Sequence, residues 1–305
     1  MLTGSRKGLA YGVSAYLCWG LFPLYWPLLK PANAVEILAQ RMVWSLILIA
    51  AVLAVTRHFT AVRRLAADRS KLALLALAAV LVSVNWGVYI WSVNSGHVIE
   101  TSLGYFINPL FTILLGVLVL KERLSRTQWV AVAIATLAIV VLTLDYGRLP
   151  WVALTLAISF GCYGFIKKKV NASALESLAV ETAVLAVPAL VALMLLANQS
   201  ELAFGHHGVP NALLLAGTGV VTAIPLLLFG AAARRLPLTT LGLLQYLAPI
   251  MSFGVGVGIR HEPMPPVRLL GFALVWLALV VLTADAVRRR RHKASLATPA
   301  HAVAA

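Results

Sequence analysis

Long apolar runs alternate with short polar or basic stretches along almost the whole chain. A helix needs about 20 predominantly apolar residues to cross a membrane. Ten runs meet this length, and the predicted spans are 8–28, 34–55, 72–93, 102–120, 128–145, 149–166, 175–196, 210–231, 238–259 and 267–286. The first run is too long for the apolar region of a signal peptide, so we interpret it as a retained span. The pattern predicts an all-α integral membrane protein.

The composition agrees with a lipid environment. Hydrophobic residues make up 61% of the chain and charged residues only 11%, whereas soluble domains are about 25% charged. The two cysteines, Cys18 and Cys162, lie in apolar runs and are expected to be packing residues. The sequence contains no zinc-protease, nucleotide-binding or hydrolase motif. We therefore predict that the chain is not an enzyme and that it needs no cofactor.

Basic residues predict the orientation of the spans. The net charge is +15, and 20 of the 25 lysine and arginine residues lie in the termini and in alternate loops on one predicted side. Four lie on the other side, and Arg41 lies within a span. Because lysine and arginine are enriched in cytoplasmic loops, both termini are predicted to be cytoplasmic. The positive charge then reflects membrane topology, and nucleic acid is not an expected partner.

The two halves of the chain resemble each other when one is shifted by 140 residues. Apolar positions match easily by chance, but shared proline, glycine and acidic residues in one register do not. The same shift places residues 34–41 over residues 174–181 without a gap. It also places residues 108–145 over residues 248–285. The matched pairs in this longer segment include Pro109 with Pro249, Gly116 with Gly256, Glu122 with Glu262, and Asp145 with Asp285.

Each half holds five predicted spans, so the second half enters the membrane from the opposite side. The sequence thus predicts ten transmembrane helices in two inverted five-helix repeats, residues 6–145 and 146–286. A basic cytoplasmic tail follows at residues 287–305. Secondary transporters commonly have this architecture, with the substrate site near the midplane between the repeats.

Five segments are specific enough to compare with known families: "YGVSAYLCWGLFPLYW", "EILAQRMVWS", "NWGVYIWSVNSGHVIETSLGYFINPL", "LKERLS" and "AIPLLLFGAAARRLPLTTLGLLQYLAPIMSF". They resemble the RarD-type permeases, which are EamA transporters of the drug/metabolite transporter superfamily. The resemblance covers about residues 6–286. It implies two EamA repeats in the bacterial inner membrane and transport of small metabolites or drugs. The small multidrug relatives use a glutamate in their first helix for proton exchange, and residues 8–28 contain no acid.

Amides and aromatic rings interrupt the predicted spans, most densely between residues 85 and 110. An unpaired amide in hydrocarbon is costly, so each must face another helix, water or a ligand. A single amide often only links helices, but rings stack on flat or cationic ligands, and the set together favours a cavity. We predict a substrate cavity lined by Trp19, Asn85, Tyr89, Tyr105, Asn108, Tyr163, Gln245 and Tyr246, with Tyr163 opposite Trp19.

Two prolines are expected to break helices beside this cavity. Pro109 and Pro249 lack the backbone donor of a helical hydrogen bond. The carbonyl groups freed near residues 105 and 245 are then available to a ligand or to water. The family resemblance indicates that these helices form cavity walls, and simple packing kinks are the alternative.

Arg41 lies about 10 Å into the second predicted span at 1.5 Å per residue. A charge at the centre of a span costs about 2.5–3.5 kcal/mol and needs compensation. The repeat aligns Arg41 with Glu181 in span 7, and we predict that the two are coupled, directly or through water. Snorkelling to the interface and pairing with Glu36 are the alternatives. Glu36 and Glu176 start their helices, where capping is the expected role.

These features together predict a secondary transporter that moves a small metabolite or drug-like solute by alternating access. Coupling to protons or to another gradient is expected, with Glu181 as the leading candidate for proton linkage. The alternatives are an intramembrane lipid-modifying enzyme, for which His97 and Glu100 are the candidate residues, and a non-transporting membrane subunit. The expected partners are a small-molecule substrate and the lipid bilayer, and the sequence leaves a homodimer open.

Overall fold

The computed structural model describes residues 2–120, 125–170, 172–233, 235–236 and 244–296. The described part of the chain is helical, with short connections and no strand. Its α-helices are α1 (Leu2–Gly20), α2 (Phe22–Tyr25), α3 (Ala34–Thr56), α4 (Phe59–Ala67), α5 (Arg69–Asn94), α6 (Val98–Leu120), α7 (Arg126–Tyr146), α8 (Trp151–Val170), α9 (Ala174–Asn198), α10 (Gly208–Ala233), α11 (Leu247–Gly254) and α12 (Pro266–Leu296). A 3-10 turn (Trp26–Leu29) follows α2, and a π-helical turn (Val255–Ile259) follows α11.

Polar side chains fix where two of the long apolar helices begin. Asn33 accepts a hydrogen bond from the backbone N–H of Glu36 at the start of α3. Ser173 accepts one from the backbone N–H of Glu176 at the start of α9. The first N–H groups of a helix have no partner inside the helix, so such caps stabilise the start and define its position.

Six of the described helices are long and apolar enough to cross a membrane. Their candidate spans are Ala34–Thr56, Arg69–Asn94, Arg126–Tyr146, Leu175–Asn198, Gly208–Phe229 and Pro266–Asp285. Two shorter apolar helices cover Trp151–Lys167 and Leu247–Ile259. Large apolar side chains point outward from these helices, with Val187 68% and Leu213 67% exposed. An outer surface of this kind suits lipid, and the chain is a multi-pass membrane protein.

Pro109 and Pro249 were expected to break helices, but both lie within helices in the structure. α6 continues through Pro109 to Leu120, so this proline does not end the helix. A single missing hydrogen bond is tolerated in a long helix that neighbouring helices support. Pro249 lies in the first turn of α11, where a backbone N–H has no intrahelical acceptor to lose.

The first and ninth predicted spans also differ from the helices that form. The predicted span 8–28 is divided, because α1 ends at Gly20 and Pro23 lies in the first turn of α2. Residues 237–243, the beginning of the predicted span 238–259, lie outside the described residues, as does Glu122.

The helices form two compact units, each with segments from both halves of the chain. The first unit comprises the described parts of Met1–Asn108 and Trp151–Pro263. Within it, α3 packs against α9 and α10, α5 against α8 and α9, and α1 against α10 and α11. The second unit comprises the described parts of Pro109–Pro150 and Met264–Ala305, where α7 packs against α12.

Two polar contacts join α7 and α12 in the second unit. Asp145, near the end of α7, forms an ion pair with Arg268, and Oδ2 lies 2.7 Å from Nε. Asp285 on α12 accepts a hydrogen bond of 3.4 Å from the hydroxyl of Ser125, the residue before α7. The contacts link opposite ends of the two helices, so α7 and α12 are antiparallel.

Candidate functional site

Arg41 lies on α3 with its side chain buried and only 2% exposed. Its Nε donates a hydrogen bond of 2.7 Å to the hydroxyl of Thr222 on α10. The guanidinium lies over the ring of Trp86 on α5, 3.7 Å from the centroid, and 5.2 Å from the centroid of Trp26. Phe22 is the third ring, at 5.7 Å. One hydrogen bond and three aromatic faces therefore hold this cation, because ring quadrupoles attract positive charge.

A close approach of α3 and α10 positions the contact between Arg41 and Thr222. A Cβ atom added at Gly219 would lie 2.6 Å from the carbonyl carbon and oxygen of Trp44. Trp44 is one helical turn after Arg41, and Gly219 is one turn before Thr222. Glycine at this position thus permits the helix approach. The hydroxyl of Thr222 donates to the carbonyl of Thr218 at 2.8 Å, which leaves its oxygen free to accept from Arg41.

Glu181 lies on α9, at the position that the repeat aligns with Arg41, and it has a different environment. Its Oε1 lies 2.6 Å from Nζ of Lys167 on α8. Its Oε2 accepts a hydrogen bond of 3.1 Å from the hydroxyl of Tyr163, one turn earlier on α8. The side chain of Glu181 is 2% exposed and that of Lys167 is 22% exposed. Lys167 therefore balances the charge of this carboxylate within the protein, and the phenol of Tyr163 donates a hydrogen bond to it.

A direct contact between Arg41 and Glu181, one of the two forms of the predicted coupling, does not form in this structure. Arg41 faces Thr222 and three aromatic rings, whereas Glu181 faces Lys167 and Tyr163. Pairing of Arg41 with Glu36 is also not seen, because the Glu36 carboxylate binds backbone N–H groups elsewhere. Lys167 reaches Glu181 because a long side chain on the neighbouring helix is closer than the pseudo-equivalent arginine.

Asn85 joins three helices of the first unit. Its Nδ2 donates hydrogen bonds of 3.0 Å to the carbonyl of Leu156 and to the hydroxyl of Ser159, both on α8. Its Oδ1 accepts a hydrogen bond of 3.0 Å from the hydroxyl of Tyr105 on α6. The ring of Tyr105 contacts that of Tyr89, with centroids 5.8 Å apart. The structure thus brings together three of the predicted cavity residues, Asn85, Tyr89 and Tyr105.

Aromatic rings connect the Asn85 network with the Glu181 cluster. The ring of Tyr105 lies 5.9 Å from that of Phe160, which lies 6.0 Å from that of Tyr163. Ring contacts therefore run from the Asn85 network to Tyr163, which donates a hydrogen bond to Glu181.

The other predicted cavity residues are spread over the same unit. Trp19 packs against Phe229, with ring centroids 5.8 Å apart. Asn108 donates a hydrogen bond of 3.1 Å to a backbone carbonyl of α8. Gln245 and Tyr246 lie half-buried directly before α11.

Buried carboxylates bind the backbone of neighbouring segments. Oε1 of Glu36 accepts from the N–H groups of Ala203 and Phe204, at 3.1 and 2.8 Å, and Oε2 accepts from Ala203 at 2.9 Å. Glu36 thus ties α3 to the segment before α10, rather than capping its own helix. Asn33 performs that capping.

Glu262 and Glu100 bind the starts of two other helices. Glu262 accepts from the N–H groups of Val98 and Ile99, at 2.6 and 2.8 Å, and so holds the start of α6. Glu100 accepts from the N–H of Val152 at 3.3 Å, at the start of α8. Burial raises the pKa of Glu262, although both backbone donors favour its ionised form. These carboxylates have structural partners.

Sequence reasoning missed the partners of both buried charges. Lys167 belongs to one of the basic segments on the predicted cytoplasmic side, and Thr222 is a single hydroxyl in an apolar run. One signal was available for Lys167: it lies four residues after Tyr163, which places both on one face of a helix. The proximity of Trp86 to Arg41 has no such signal, because it depends on how α3 and α5 pack.

The sequence profile of the EamA-like transporter family matches residues 6–144. Protein RarD of Streptomyces exfoliatus is 59% identical over 98% of this chain and 96% of its own. An uncharacterized transporter of Pseudomonas aeruginosa is 46% identical over 94% of this chain and 96% of its own. One solved crystal structure shares the fold with a TM-score of 0.60 at 17% identity, over 91% of this chain and 97% of that one.

Proposed function

The chain belongs to the EamA-like transporter family as a RarD-type permease, and on that premise we propose that it is a secondary transporter. The solute is a small metabolite or drug-like molecule that crosses the bacterial inner membrane by alternating access. Its energy comes from a proton or other solute gradient, since the sequence holds no nucleotide-binding motif.

The main support for this proposal is that polar side chains meet between helices whose outer faces are apolar. Asn85, Tyr105 and Ser159 form a buried hydrogen-bond network within the first unit. Arg41 and Glu181 are buried near it. Ionisable residues within spans are costly and mark substrate or ion pathways. A protein that only anchors a partner in the membrane has no need of such an interior.

The inverted repeat is part of the same proposal. The helix caps Asn33 and Ser173 are 140 residues apart, as are the aspartates that join α7 and α12. Helix contacts also correspond between the halves, since α3 packs against α10 and α9 against α5. These correspondences support two five-helix repeats with a site at their interface, as in other secondary transporters.

Glu181 is the proposed proton-coupling residue. Its ionised carboxylate is held by Lys167 at 2.6 Å, and protonation removes the charge that attracts the lysine. The lysine is then free to move towards solvent, because 22% of its side chain is already exposed. Protonation of Glu181 therefore releases a contact between α8 and α9, which alternating access can use.

The proposed orientation follows the basic residues. Lys167 and its two neighbouring lysines then face the cytoplasm, together with both termini. Glu181 would therefore exchange protons on the cytoplasmic side. Cysteine labelling at introduced sites near residue 60 and residue 207 measures this directly, and labelling from the outside near residue 60 would contradict the orientation.

Solute flux in proteoliposomes tests the transport proposal. A labelled panel of metabolites and drugs is offered to the wild type with and without an imposed pH gradient. Asn85→Leu removes the link between α5, α6 and α8, and Gln245→Leu alters the approach to α11, so both variants are expected to abolish flux. Thr136→Val is the control, because its hydroxyl is exposed and bonds only its own helix. Wild-type flux from both test variants would reject the cavity, and no flux from the wild type would reject transport.

A further inference from the structure

The charge of Arg41 is not neutralised by any carboxylate in the part of the chain that the structure describes. Its guanidinium has one hydrogen bond, from Nε to Thr222, while the ion pairs of this part involve other cations. Leaving a buried charge without a counter-ion is strongly unfavourable. Aromatic faces compensate part of this, but they accept no hydrogen bonds as strong as those of an anion. The counter-charge is therefore expected from outside these described residues, and a bound molecule can supply it.

Unused hydrogen-bond donors surround this cation. Within the described residues, Nη1 and Nη2 of Arg41 have no hydrogen-bond partner. Nε1 of Trp26 and Oγ of Ser45 are buried and also without partners there. Trp26 is one of the rings facing the guanidinium, and Ser45 lies one turn after Arg41 on α3. An indole N–H and a guanidinium can only donate, so the group that completes this site must accept hydrogen bonds.

The walls around the guanidinium are aromatic. Trp86, Trp26 and Phe22 face it directly. Such rings provide flat apolar surfaces for the body of a ligand and exclude water from its charged group. Exclusion of water strengthens an ion pair between the ligand and the guanidinium.

Two other cations with largely buried side chains, among the described residues, already have an acidic partner. Lys167 pairs with Glu181, and Arg268 pairs with Asp145, with nitrogen–oxygen distances of 2.6 and 2.7 Å. Only a cation that lacks such a partner can offer its full charge to a ligand. Arginine suits this purpose, because its planar fork matches the oxygens of carboxylate and phosphate groups.

We propose that the transported solute is an organic anion, a small molecule whose carboxylate or phosphate group binds Nη1 and Nη2 of Arg41. Its flat or apolar body packs against the aromatic wall of Trp26 and Trp86. This inference rests on the proposed transport function, since it assigns the charge class of the solute at the same interior site.

Binding of matched probes to purified wild-type protein is the first test. Benzoate, phenyl phosphate, benzamide and benzylamine share one ring but carry a carboxylate, a phosphate, a neutral amide and an amine. The melting temperature is expected to rise with the two anions and to stay unchanged with the amide and the amine. The stronger of the two anions identifies the preferred group. Stabilisation by benzamide or benzylamine alone, or by none of the four, would overturn the proposal.

Variants of Arg41 are the second test. Arg41→Gln removes the charge and is expected to weaken anion binding by about tenfold to a hundredfold, the usual value of a charge-assisted hydrogen-bond pair. Arg41→Lys keeps the charge without the fork and is expected to weaken it less. Arg268→Gln is the matched control, because it removes an arginine that has its own carboxylate. Equal anion affinity in Arg41→Gln and wild type would contradict the assignment. If the Arg41 variants do not fold, the wild-type probe comparison decides.

Flux measurements separate this inference from the transport proposal. Arg41-dependent uptake of anions into proteoliposomes supports both. Flux of neutral or cationic solutes alone, at equal rates in Arg41→Gln, overturns the anion assignment and leaves transport standing. Anion binding that requires Arg41, without flux of any solute, supports the anion site and overturns transport.

Discussion

The surroundings of Arg41 and Glu181 differ although the two residues occupy matching positions in the halves of the chain. Glu181 has a cationic partner at 2.6 Å and a phenol donor at 3.1 Å. Arg41 has one neutral hydroxyl acceptor at 2.7 Å and a ring at 3.7 Å. The carboxylate is neutralised inside the protein, whereas the guanidinium keeps its full charge.

This difference separates two tasks that a transporter needs. A carboxylate with a cation beside it can change its charge by taking up a proton, and its lysine then moves. An arginine stays charged at any physiological pH, so it suits a fixed binding role. Both kinds of site occur in this chain, because the helices packed around Arg41 and around Glu181 supply different side chains. If the two sites are as different as their contacts indicate, matched substitutions at Arg41 and at Glu181 should have different effects.

The largest effect is expected when one partner of the Glu181 pair is removed. Breaking a fully buried ion pair costs about 3–5 kcal/mol, and partial exposure of Lys167 should reduce this. Glu181→Gln leaves the lysine facing a neutral amide, so we expect the free energy of unfolding to fall clearly. The double variant Lys167→Met with Glu181→Gln should lose less than the sum of the single variants. Denaturation of the wild type, Glu181→Gln, Lys167→Met and the double variant in one detergent measures these free energies of unfolding. Additive losses would show that the pair does not stabilise the protein.

The Arg41 site should respond to loss of its one hydrogen-bond acceptor. Thr222→Val keeps the shape of the side chain and removes the oxygen that accepts from Nε. Interhelical hydrogen bonds in membranes average about 0.6 kcal/mol, and a charged donor raises this to about 1.5 kcal/mol. Tyr163→Phe, the matched change at Glu181, should cost less, because Lys167 remains. A larger loss in Tyr163→Phe would reverse this order.

Glycines near the two sites provide a third comparison, because only one of them lies where two helices approach closely. Gly219→Ala places a Cβ against the Trp44 carbonyl, and overpacking of this kind costs about 1–3 kcal/mol. We expect lower thermal stability and weaker binding of the anions that require Arg41. Gly164→Ala, beside Tyr163 on α8, is the control, because no atom lies within 4 Å of its added Cβ. Equal stability of the two variants would show that the approach of α3 and α10 is not tight.

The smallest expected quantity is the coupling energy between Arg41 and Glu181, the pair that the sequence repeat suggested. Since Arg41 and Glu181 have separate partners, the double variant Arg41→Met with Glu181→Gln should be additive within about 0.5 kcal/mol. A coupling energy of about 1 kcal/mol or more would indicate that the two charges meet in another conformation of the transport cycle. Unfolding of the wild type, both single variants and the double variant measures it.

The sequence by itself determined the class of protein. Apolar runs of membrane-crossing length and polar caps such as Asn33 are local features, so the membrane assignment and many helix bounds follow from them. The segment from Asn85 to Tyr105 was also predictable as part of a site, because amides in hydrocarbon need partners wherever they lie. Family membership followed from the same residues.

Only the tertiary structure decided which buried groups meet. Lys167 reaches Glu181, and Trp86 covers Arg41, because of how neighbouring helices are packed and rotated. Glycine at position 219 permits a close approach of α3 and α10, which the pattern of hydrophobic residues does not predict. The structure also shows that α6 continues through Pro109, which the sequence did not indicate. Periodicity and composition describe one helix at a time, whereas ion pairs and stacked rings depend on distances between helices.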